Sequence, residues 1–150
     1  PDFVEAHSNL GNILRDLGNL QDAERSTRKA LELNPDFAEA HSNLGNILRD
    51  LGNLQEAELS TRKALELNPN FAEAHYNLGV ILSDLGNLED AELSTRKALE
   101  LKPNNENSHR SLGYILMNKG KHIEGIKQLR KGSGYIIFNH KLSEVNFLSK

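Results

Sequence analysis

Apolar residues recur with a helical period along most of the chain, and the apolar stripes come in pairs. In residues 38–71, Ala40, Leu44, Ile47, Leu48 and Leu51 fall on one face of a helix, three or four apart. Gly52-Asn53 interrupts that stripe, as a left-handed residue at a helix end does. Leu54, Ala57, Ala64, Leu65 and Leu67 form a second stripe. Asn68-Pro69 closes it, because proline cannot continue a helix and restricts the residue before it. Gly45, Ala57 and Ala64 are small, so two helices can approach closely there. The pattern predicts first helices at about 3–17, 37–51, 71–85 and 105–119. Second helices are predicted at about 20–33, 54–67, 88–101 and 122–131. Each is about 14 residues, roughly 20 Å long. None can hide its apolar face alone, so the pairs must stack on one another.

The pairs are copies of one unit. Residues 4–37 lie on 38–71 without gaps and agree at 30 of 34 positions, and 38–71 agree with 72–105 at 27 of 34. A fourth copy begins at Glu106 with His109, Leu112, Gly113 and Gly120 in register, and decays after Gly125, where alanine would stand. The 34-residue period, the run His41-x-x-Leu44-Gly45-x-x-Leu48, and Ala57, Ala64 and Pro69 together resemble the tetratricopeptide repeat. The resemblance covers about residues 1–131. It implies an all-α fold, a right-handed α-solenoid of helix-turn-helix repeats at 4–37, 38–71 and 72–105, with a partial repeat at 106–131. The departures are consistent. His7, His41, His75 and His109 stand where the family usually has tryptophan, and Leu14, Leu48 and Leu82 where it has tyrosine. Thr27, Thr61 and Thr95 replace a large aromatic, which makes a leaner core. Residues 132–150 form a separate tail. Gly132-Ser133-Gly134 is expected to end the last helix, and Tyr135-Ile136-Ile137-Phe138 is an apolar, β-favouring run. The tail starts a further domain, folds back on the last repeat, or pairs with a neighbouring chain; the sequence leaves these open.

Composition narrows the chemistry. With no cysteine, disulfides and thiolate sites are excluded. A net charge of -3 disfavours nucleic acid as a partner. No stretch approaches the roughly 20 apolar residues of a membrane span. The expected location is cytoplasmic. No signal-peptide pattern opens the chain, and a start at Pro1 rather than methionine reads as an excerpt.

Four histidines 34 apart invite a metal site, but equivalent residues on stacked helices stand about 8–10 Å apart. Ligands to one zinc lie about 2 Å from it, so these histidines are expected to pack rather than ligate. Ser26-Thr27-Arg28-Lys29 and its copies set basic residues beside hydroxyls, as a phosphorylation site would. The simpler expectation is that the threonine fills a core slot while Arg and Lys complement the helix end. Residues that recur at equivalent positions build columns, not convergent catalytic sites, and no Gly-rich phosphate loop is present. No catalytic residue, metal or cofactor is expected.

The asparagines carry more. Asn9, Asn43 and Asn77 recur on successive first helices, and Asn12 and Asn46 lie three residues further on nearly the same face. This column and the run Asn-Leu-Gly-Asn resemble the superhelical repeats of O-linked N-acetylglucosamine transferases. That resemblance implies that the first helices line a concave groove and the ladder holds peptide backbone, each amide offering a donor and an acceptor. The competing reading has Asn9 and its equivalents bonding a neighbouring helix. Copies two and three differ at Ser42/Tyr76, Asn46/Val80 and Arg49/Ser83, spaced i, i+4, i+7 on one face. A variable face on a fixed scaffold is the expected mark of a groove. It should run from polar (Ser8, Asn12, Arg15, Arg49) to apolar (Tyr76, Val80, Tyr114, Met117), unless the change is an end repeat adapting to cap the stack. Some family members grip a C-terminal carboxylate with two asparagines and several basic residues. Asn12 and Asn43 match the asparagine slots, but Ser8, Glu73 and Asn77 fill the basic ones, so a terminal carboxylate is an unsuitable ligand. The expected function is a non-catalytic scaffold holding an extended peptide or protein segment. The alternatives are self-assembly through the open ends or the tail, and the substrate-recruiting arm of a larger enzyme.

Overall fold

The computed structural model describes residues 2–133, 135–139 and 144–148. Eight helices follow in order: α1 (Asp2–Asp16), α2 (Leu20–Leu33), α3 (Ala38–Asp50), α4 (Leu54–Leu67), α5 (Ala72–Asp84), α6 (Leu88–Leu101), α7 (Glu106–Asn118) and α8 (His122–Ser133). They pack as antiparallel pairs, α1 on α2 through α7 on α8, and each second helix packs on the first helix of the next pair. Successive first helices also touch. The array is therefore an all-α solenoid of stacked helix pairs. The expected first helices are a residue too long at each inner end. Phe37, Phe71 and Asn105 are N-caps, and Leu51, Leu85 and Lys119 are C-caps.

Local chemistry sets the turns. Gly52 sits at φ 83°, with Gly18, Gly86 and Gly120 alike. This left-handed residue lets Asn53 N donate to Leu48 O at 2.8 Å, closing the helix end. Close approach within a pair depends on Gly45. A Cβ there would lie 2.0 Å from Thr61 Oγ1 and 3.2 Å from Ala57 O. Thr61 is fully buried and donates its hydroxyl to Ala57 O at 2.8 Å, so the core slot is filled without an orphan polar atom. Thr27 and Thr95 do the same. Ser60 is also buried and donates to His41 O. These hydroxyls are closed inside the stack and out of a kinase's reach.

The apolar core lies between copies. Leu44, Leu48 and Ala57 cluster with Ile81 of the next copy, flanked by Leu31 and Leu85. Leu78, Leu82 and Ala91 cluster likewise with Ile115, flanked by Leu65. The histidines that replace tryptophan have a role here. His41 Nε2 donates to Pro35 O at 2.8 Å and His75 Nε2 to Pro69 O at 2.9 Å, tying each first helix to the turn that precedes it.

At the end of the array α8 runs to Ser133, two residues past the expected 131, and ends inside the run Gly132-Ser133-Gly134. Gly132 allows contact with α7, since a Cβ there would lie 2.6 Å from Glu106 O. The tail adds an antiparallel ribbon of β1 (Tyr135–Asn139) and β2 (Glu144–Leu148), with Tyr135 opposite Leu148 and Ile137 opposite Asn146. The apolar run thus finds a strand partner in its own chain. Pro1, Gly134, residues 140–143 and residues 149–150 lie outside the described residues.

Candidate functional site

The face made by α1, α3, α5 and α7 carries three adjoining cavities. The first, about 390 Å³, is lined by Glu5, Ser8, Asn9, Asn12, Phe37, Glu39, Asn43, Phe71 and Glu73. The second, about 320 Å³, takes in Arg15, Asn46, Arg49, Glu73, Tyr76 and Asn77, with Lys102 and Asn107 beyond. The third, about 280 Å³, is bounded by Tyr76, Val80, Ser83, Asp84, Arg110 and Tyr114. Glu73 joins the first to the second, and Tyr76 the second to the third. The sequence-predicted residues thus gather along one continuous face, with one exception.

That exception is Met117. It does not border the third cavity. A Cβ added at Gly125 would meet Met117 Cγ at 2.9 Å and Sδ at 3.1 Å. Met117 therefore leans onto α8, into the space that alanine would occupy. The departure at Gly125 and the methionine are one packing exchange, and the expectation that Met117 joins Tyr76, Val80 and Tyr114 is corrected.

The two asparagine columns differ. Asn43 Nδ2 donates to Ser8 Oγ at 2.9 Å, and Asn77 Nδ2 to Ser42 Oγ at 3.1 Å. These are struts between successive first helices, and Asn77 is only 3% exposed. Asn9, on α1, is exposed. The two asparagines of the second column have no hydrogen-bond partner among the described residues. Asn12 Oδ1 is buried and accepts no hydrogen bond. Asn46 is 8% exposed and its amide makes none among the described residues, although it forms part of the second cavity wall. Val80 and Tyr114 continue that column in the next two copies.

Charge is arranged in rows. Arg15 Nε and Arg49 Nη2 both donate to Asp50, at 2.9 and 2.7 Å, so one carboxylate closes two guanidinium groups at the far edge of the groove. Ser83 replaces arginine in the next copy, and Asp84 has no ion pair. At the opposite edge Glu5, Glu39 and Glu73 are exposed and form no ion pair among the described residues. Sequence reasoning missed this glutamate row. Its signal was available: each stands four residues before an asparagine of the first column, hence on the same helical face.

Away from the groove, Glu92 on α6 gathers Lys119, Arg96 and Lys121 at 2.8, 2.9 and 3.1 Å. Burial alone would push this carboxyl up. The hydrogen bonds from Lys119, Arg96 and Lys121 outweigh it and hold the carboxyl at about 2. The cluster ties α6 to the last helix pair. Among the described residues no helix is long and apolar enough to cross a membrane.

Two tetratricopeptide repeat models match, over residues 8–70 and 72–105. The crystal structure of MamA is similar at a TM-score of 0.76 with 30% identity, over 88% of this chain and 77% of that one. A mutant O-GlcNAc transferase from Thermobaculum terrenum gives 0.79 with 29% identity, over 87% of this chain but 26% of the transferase. The first TPR of Spaghetti (RPAP3), bound to the HSP90 peptide SRMEEVD, gives 0.75 at 23% identity, over 79% and 94% of the two chains, and shares the fold. No curated protein matches the sequence.

Proposed function

Since the chain belongs to the tetratricopeptide repeat family, we propose that its role as a protein-interaction scaffold is exercised by the groove of α1, α3, α5 and α7, without catalysis. The ligand is an extended peptide or protein segment. Its backbone lies along the unpartnered asparagines, and one of its side chains enters the bay of Tyr76, Val80 and Tyr114. The observation that carries this reading is Asn12. Its Oδ1 is buried in the wall of the first cavity and accepts no hydrogen bond among the described residues, whereas a buried polar atom normally has a partner; Asn46, in the wall of the second cavity, makes none either. A peptide group supplies the matching acceptor and donor. The copy-to-copy changes agree with it, since Ser42/Tyr76 and Asn46/Val80 alter the cavity walls while the core stays constant.

The test is a peptide-array screen followed by titration of the hits. Tyr76→Ser with Val80→Asn rebuilds the face of the preceding copy, so the fold should tolerate it. Affinity should fall by roughly 1–3 kcal/mol, as for an interface hot spot. An unchanged affinity with the fold intact would reduce the bay to end-capping.

A further inference from the structure

We infer that the first cavity selects a cation, and that its occupant is a lysine or arginine side chain of the extended segment held in the groove; this deepens the peptide-binding reading and rests on it. Charged acceptors and a buried oxygen dominate the groups there without partners, beside the free amides of Asn9 and Asn12. Glu5, Glu39 and Glu73 have no ion pair, and Asn12 Oδ1 is a buried oxygen with no donor. The wall contains no cationic side chain. Asn46, nine-tenths buried and without a partner, extends the same wall past Glu73 into the second cavity. A site with acceptors to spare calls for a group rich in N–H donors, which ammonium and guanidinium provide. Phe37 and Phe71 at the rim suit the aliphatic stem of such a side chain and, at the ring faces, its charge.

Two alternatives fail on geometry. A bare metal ion needs converging ligands, and among the described residues no three acidic or histidine side chains stand close enough to hold one. The arginines do not neutralise Glu5 and Glu39, although Glu73 shares the second cavity with Arg15, Arg49 and Lys102. Arg15 and Arg49 lie ten residues along their helices from Glu5 and Glu39, about 15 Å away, and both are closed on Asp50. That distance exceeds the screening length of about 8 Å in physiological salt. Nor do the glutamates stand here only to complement helix N-termini. α7 keeps a first-turn acid, Glu106, but the groove position itself becomes Asn107, where the apolar bay begins. Neighbouring first helices lie about 8–10 Å apart and an extended chain advances about 3.3 Å per residue. Successive glutamates therefore meet side chains about three residues apart, which fall on one face when the segment takes the three-residue turn of polyproline II.

The test uses fluorescent, N-acetylated ten-residue peptides of serine and alanine carrying lysine, glutamine or glutamate at every third position, titrated by anisotropy against the full chain. The lysine peptide should bind at least tenfold tighter than the glutamine peptide, with the glutamate peptide weakest, and the preference should shrink at high salt. Glu39→Gln with Glu73→Gln, both on exposed side chains, should abolish the preference for lysine over glutamine. Equal affinities for the lysine and glutamine peptides would overturn the inference and leave the groove standing. Binding by none of the three would remove the groove reading and the inference together. A glutamine peptide that binds as tightly as the lysine peptide only when its amine is left free would assign the cavity to a chain terminus and overturn the side-chain assignment.

Discussion

Asparagine illustrates how one residue type takes two roles three positions apart. Asn43 and Asn77 spend a donor on Ser8 and Ser42, so they belong to the stack. Asn12 and Asn46 have no such partner among the described residues and line the first and second cavities. Changing Asn43 and Asn77 to alanine should cost on the order of 1 kcal/mol of stability each, the net worth of a hydrogen bond, read from denaturant unfolding. Asn46→Ala should leave stability within about 0.5 kcal/mol, because no bond is lost, while peptide affinity falls. The reverse pattern would return the ladder to the first column. The sequence could name the asparagine columns but not separate them. Ser8 and Asn43 are 35 residues apart, and only the offset between stacked helices makes them neighbours. The glutamate row was as legible as the asparagines, since it shares their period and face. Met117 was not, because its direction depends on the space left at Gly125, an exchange across two helices.

Between elements, ion pairs on the second helices tie one copy to the next. Arg28 reaches Glu56 and Arg96 reaches Glu124, and those bonds hold both guanidinium groups above their ordinary pKa. Arg62, between them, bonds only Glu58 on its own helix; its counterpart acid, Asp90, is one methylene shorter and is taken by Asn87. Glu92 adds a buried knot at the last junction. Its folded-state pKa of about 2 lies below the usual carboxylate range, so its contribution is present in full above about pH 4.5. That contribution is lost as pH falls toward 2, and is at most about 3 kcal/mol. Unfolding midpoints of wild type and Glu92→Gln should differ at pH 6 and converge at pH 2. A difference that persists at pH 2 would mean that the glutamine fails for reasons of packing rather than charge. Helix existence and pairing were legible because period, glycine and proline agreed at every copy. The starts of α3 and α5 were not, because the N-caps Phe37 and Phe71 belong to the apolar pattern while their backbone is already extended.

At the scale of the whole molecule, each copy is stabilised by its neighbours, and the tail ribbon pairs with itself. Removing residues 134–150 should therefore leave the array helical and cooperative, with a thermal midpoint within a few degrees of the full chain by circular dichroism. Collapse of the whole array on truncation would make the ribbon a required cap. With 417 solved chains sharing the fold, architecture alone does not choose a ligand, and the account rests on the groove's unpartnered amides. The most direct test is to follow the side-chain NH₂ resonances of the asparagines by NMR while the lysine-bearing peptide is titrated to saturation. The account predicts large shifts for Asn12 and Asn46 and small ones for Asn43 and Asn77, whose bonds to Ser8 and Ser42 stay closed. Saturable binding that leaves Asn12 and Asn46 unmoved, or that moves Asn43 and Asn77 instead, would contradict it.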